Sequence, residues 1–135
     1  MLSFVVMYVM MFATIDTAPD FFNNLNMADM AAMMVAPMAI LMLWLMGAMY
    51  PNRKLNLVLH LSFATLFVTA FTGIRMQAGV SNEQFLRSMI PHHSGAILMC
   101  RGANVADPEI QTLCGQIEQT QRREINQMKR ILARI

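Results

Sequence analysis

The sequence predicts an all-α protein in which three transmembrane helices precede a helical hairpin, and three observations carry that expectation. Apolar residues make up 56% of the 135 positions and charged residues only 13%. The charge is segregated, because residues 1–74 hold only Asp16, Asp20, Asp29, Arg53 and Lys54. Beyond them, Asp107-Pro108-Glu109 supplies an N-cap, a first-turn proline and a first-turn acid in the middle of an otherwise helical stretch. The chain therefore divides into a membrane region, 1–75, and a helical hairpin, 76–135.

Within the membrane region the first span is expected over about 1–22. Residues 1–15 are apolar and uncharged. They lack the Lys/Arg and the small-residue cleavage site of a secretory signal, so they read as an uncleaved anchor. Fifteen helical residues reach only about 22 Å, so this helix is expected to continue toward Phe21 and Phe22 or to thin the bilayer. The second span, 28–50, would cover roughly 34 Å and carries Trp44 and Tyr50 toward one end as interface anchors. Met30, Met34, Met38, Met42 and Met46 recur along one stripe of it, and Pro37 is expected to kink it. Packing in lipid explains such methionines, and a thioether path for copper is the sharper alternative. The third span, 55–74, contains His60, which is either a functional intramembrane group or a neutral, hydrogen-bonded one.

Three spans put the termini on opposite sides. The loop after the first span, residues 16–27, has acids and no Lys/Arg, whereas the next loop has Arg53 and Lys54. The positive-inside rule then makes the N-terminus cytoplasmic and the C-terminal hairpin periplasmic. The net charge of +2 is too mild to suggest nucleic acid as a partner. There is no Gly-rich phosphate loop, no activated serine constellation and no Glu-x-x-His pair of di-iron bundles, so no enzyme is expected.

The hairpin is read as helices over about 82–103 and 108–134. Ser81 or Asn82 caps the first helix, and Pro91 is expected to bend it. The second presents Ile110, Cys114, Ile117, Gln121, Glu124, Met128 and Ile131 along one face. A hairpin folded near 105–107 pairs positions whose numbers total about 214. That sets Cys100 against Cys114, His93 against Gln121, and Met89 against Ile125, within a turn of Glu124 and Met128. So small a hairpin is expected to leave an apolar face for a second copy or a larger membrane complex to cover.

Chemistry concentrates in Met89-Ile90-Pro91-His92-His93-Ser94-Gly95-Ala96-Ile97-Leu98-Met99-Cys100. Thioether, thiol and imidazole together suit copper, Cu(I) above all, better than calcium or magnesium. Adjacent histidines point about 100° apart on a helix, so one imidazole is expected to face into the hairpin and the other away. A purely structural pair bonded to Glu124 or Gln121 is the competing reading. Cys100 and Cys114 form a disulfide in the favoured reading, with Cu(I) ligation and unpaired packing as alternatives.

The elements Met89-Ile-Pro-His92-His93-Ser-Gly-Ala, Asp107-Pro-Glu and Gln121-Arg-Arg-Glu124-Ile-Asn-Gln-Met128 together resemble the bacterial domain-of-unknown-function family 305 (DUF 305), over residues 83–132. The upstream layout, including Met49-Tyr50-Pro51-Asn52-Arg53-Lys54-Leu55-Asn56, resembles its membrane-anchored subgroup. The resemblance implies a ferritin-like helical domain, here a half-bundle, with copper binding and copper tolerance through His and Met in some members. Carried onto this chain, it implies Met89, His92, His93 and Met128 as ligands of a copper ion, Glu124 and Gln121 beside them, and Met99 where many members have Met. The two cysteines are not part of that family pattern.

Overall fold

Residues 2–49 and 52–135 are described by a computed structural model, the Ala48 side chain excepted. Five α-helices follow one another: α1 (Leu2–Met11), α2 (Leu25–Leu45), α3 (Arg53–Met76), α4 (Asn82–Gly102) and α5 (Pro108–Leu132). No strand occurs among the described residues. Each boundary has a local cause. The Asn52 side chain accepts from Leu55 N at 3.1 Å, Ser81 from Gln84 N at 3.3 Å, and Asp107 from Glu109 N at 2.8 Å and Ile110 N at 3.1 Å, so α3, α4 and α5 all start on a capped N-terminus. Between α3 and α4 the chain turns through left-handed Gln77 and Gly79, the latter at φ 75°, where glycine carries no Cβ penalty.

The chain forms two units. One holds the residues up to Met11 together with Leu25–Gly79, and the other holds Phe12–Asn24 with Val80–Ile135. In the first unit, α2 buries Ala31, Ala32 and Ala36, small residues that let helices approach closely. Its outer surface is apolar, with Leu57, Leu61, Val68 and Phe71 of α3 all exposed. Met34, Met38 and Met42 of the methionine stripe are exposed too, and Trp44 is 72% exposed. Tyr50 lies outside the described residues. His60 Nδ1–H donates to Asn56 O, one turn back in its own helix, at 2.8 Å.

Two expectations are corrected here. The first helix does not continue toward Phe21 and Phe22: α1 ends at Met11, and short 3-10 turns follow at Phe12–Thr14 and Ala18–Asp20. Segment 12–24 leaves the helical path because Asp16 and Asp20 are drawn into ion pairs with Arg122 and Lys129 of α5, in the same unit. In α5, Ile110 is 47% exposed, and the buried positions are Ile125 and Met128. Ile110 lies next to the turn, and the buried face of the hairpin begins more than a helical turn from it, at Ile97. Leu86, Ile90, Ile97, Ile125 and Met128 form the core, with Phe22 of segment 12–24, Met89, Ile131 and Leu132 packed against it. Both Pro37 and Pro91 sit inside unbroken helices.

Candidate functional site

Segment 12–24 is seated on α4 by two residues of the histidine motif. Ser94 is fully buried. Its Oγ accepts from Asp16 N at 2.8 Å and its hydroxyl donates to Asp20 Oδ2 at 2.7 Å. At Gly95 a Cβ would stand 3.3 Å from Thr14 O, so the glycine permits the backbone approach.

Asp20 is fully buried and takes hydrogen bonds from Thr17 Oγ1 at 3.0 Å and Lys129 Nζ at 2.6 Å, with Arg122 Nη1 3.5 Å away. Burial alone would raise its carboxyl above the ordinary 3.8. The bonds from Lys129, Ser94 and Thr17 and the Lys129 charge outweigh burial and hold it lower. Asp16 pairs with Arg122 Nη2 and with Arg101 Nη1, the latter at 3.2 Å, while Arg101 Nε also meets Glu118 at 2.9 Å. These pairs raise the Arg101 guanidinium, Glu118 contributing most. The acids of the first loop thus neutralise the basic excess of the hairpin. Sequence reasoning missed this site. Its available signal was charge complementarity between a loop with only acids and a hairpin with surplus Lys/Arg.

His93 stands beside this seat. Its Nδ1 lies 2.8 Å from Met89 O, and its Nε2 lies 2.9 Å from Glu124 Oε2 on α5. A carbonyl can only accept, so Nδ1 carries the proton. In the neutral ring Nε2 then presents a lone pair to a carboxylate oxygen, and two acceptors at that distance need a cation between them. A proton satisfies the pair, and so does a metal. His93 Nε2 and Glu124 Oε2 are the atoms that would hold such an ion. A ring N–H held by a backbone carbonyl is also the usual outer bond of a metal-ligating histidine.

The remaining sequence candidates separate into two groups. Met128 is buried, and Met89 packs against the same core. Gln121 is half-buried one turn before Glu124. His92 and Met99, seven residues apart, are both exposed, and Met99 is 74% so. They share a face away from the core. The two imidazoles meet edge-on with centroids 6.0 Å apart. Among the described residues no three His, Cys, Asp or Glu side chains come together. Any metal here would have His93 and Glu124 as its imidazole and carboxylate donors.

The hairpin register differs from the expected one in an instructive way. His93 meets Glu124 rather than Gln121, and Arg101 meets Glu118. Every helical side chain leans toward its own N-terminus, so in antiparallel helices long side chains reach partners further along than their Cα positions imply. Short ones do not gain that reach. Cys100 and Cys114 are both free thiols, so the expected disulfide is not formed between them.

The family described as "Domain of unknown function (DUF305)" matches residues 69–134. The chain is also 35% identical over 111 residues to an uncharacterized protein, L153, of Acanthamoeba polyphaga mimivirus, an alignment spanning 81% of this chain and 71% of that protein. No solved structure matches it.

Proposed function

We propose that this chain, which belongs to the DUF305 family, is a non-enzymatic, membrane-anchored copper-binding protein whose metal sits between His93 and Glu124. The observation that carries this is the facing pair of acceptors at 2.9 Å, with the other imidazole nitrogen held by Met89 O. Met89 and Met128 supply the sulfur that favours Cu(I), and exposed His92 and Met99 form a surface from which an ion is taken up. When bound, the metal adds a charge that His93 and Glu124 hold across the hairpin. The Met89 carbonyl orients the ring, and the packed core excludes water from its inner side.

Membrane anchoring rests on α2 and α3, both long and apolar enough to cross a bilayer. Segment 12–24 and residues 80–135 form one unit, so the chain leaves that unit at α2 and returns by α3, as two crossings require. Our reading adds α1 as a third, short span, with the N-terminus cytoplasmic and the second unit on the periplasmic face of a bacterial inner membrane. The half-bundle of α4 and α5 is closed at one end by segment 12–24. Exposed Met99, Ile110 and Leu113 near the turn leave room for a second copy or a larger membrane complex.

Metal content of the detergent-purified protein, beside its His92→Ala/His93→Ala double variant, tests this. The proposal expects about one copper per chain in the wild type and its loss in the variant. Absence of copper from the wild type under reducing conditions overturns it. A second reading, a structural or assembly subunit, is favoured by one observation: a proton between His93 and Glu124 closes the same contact as an ion pair. That reading expects both proteins to be metal-free and equally able to hold their partners.

A further inference from the structure

We propose that Cys100 and Cys114 are a redox-active dithiol that closes to a disulfide and locks the turn end of the hairpin. Both are free thiols, half-buried, one on the last turns of α4 and the other on the second turn of α5. They face one another across the hairpin, Cys114 being the first group to act on the Cys100 thiol. The register supports the contact independently. Arg101 beside one cysteine is bonded to Glu118, one turn beyond the other, and two short side chains meet nearer the turn than these long ones do. The turn end is also the less buried part of the hairpin, because Ile110 and Leu113 are exposed there and the buried core begins at Ile97.

The reaction is thiol–disulfide exchange with an external disulfide. Cys114 Sγ, as thiolate, attacks one sulfur of that disulfide and expels the other as a thiol. Cys100 then gives up its proton and attacks Cys114 Sγ in the mixed disulfide, expelling the second thiol. Two protein thiols are oxidised and one external disulfide is reduced. No metal enters this step, so it stands or falls apart from the copper reading.

The test is oxidised glutathione added to the full-length protein in detergent, with Cys100→Ser and Cys114→Ser beside it. The wild type is expected to lose both alkylatable thiols, remain a single chain on a non-reducing gel and carry no glutathione, whereas Cys100→Ser keeps glutathione on Cys114. The oxidised wild type is expected to melt higher by on the order of 10 °C, reversibly with dithiothreitol. A wild type that stays reduced, retains glutathione or cross-links between chains overturns the pairing. An oxidised form that melts at or below the reduced one overturns the locking role.

Discussion

The two units of this chain are held together by opposite means. Residues 25–79 pack through small side chains and apolar surface, with alanines at the contacts and leucine, valine and phenylalanine outside. The second unit buries Asp20 outright and surrounds it with Ser94, Lys129, Arg122 and Thr17. In the first unit shape and close approach do the holding, and many substitutions are tolerated. A buried charge tolerates few, since removing one partner strands the other without water. The histidine motif lies in the second kind of environment. Its precision comes from polar contacts that also fix segment 12–24.

This contrast is broken most severely at Asp20. Asp20→Ala leaves Lys129 and Ser94 facing an empty position, and a loss of about 3–5 kcal/mol of second-unit stability is expected. Limited proteolysis within 12–24, beside denaturant unfolding, checks it. The same carboxylate sets a pH dependence. Its folded pKa lies below the ordinary 3.8, so its stabilisation is complete above that value and is lost as pH falls through the lower folded one. Asp20→Asn should flatten the acid limb of a stability profile. A smaller effect is expected at Gly95, where even a Cβ meets Thr14 O at 3.3 Å. Gly95→Val should cost roughly 1–3 kcal/mol by overpacking and expose 12–24 to protease, with α4 still helical by circular dichroism. Smallest is the first unit's surface: Met34→Leu, at an exposed position, should change stability by less than about 0.5 kcal/mol in a thermal melt.

Helix content was legible because it depends on local signals. Ser81 and Asp107 cap as their positions predicted, and α4 and α5 end within a few residues of the expected boundaries. What escaped the sequence was long-range. Nothing within 12–24 says that Asp16 will meet Arg122, more than a hundred positions away, and so the first helix was extended across residues that leave it. In the motif, His92, His93 and Met89 stand out as metal donors, whereas Ser94 and Gly95 seat a whole segment through partners that lie far away in the chain. The inward histidine was readable from the 100° step between neighbours, but its partner was not. Choosing Glu124 over Gln121 required the lean of long side chains, which a count of Cα positions leaves out.

The pairing of His93 with Glu124 is tested most directly by calorimetric copper titration of the wild type and of His93→Ala in two buffers of different ionisation enthalpy. If metal replaces the proton between Nε2 and the carboxylate, the wild type should bind copper with release of about one proton per ion, and His93→Ala should lose both the site and that release. Copper bound equally well by His93→Ala, or no binding by the wild type, would contradict the account.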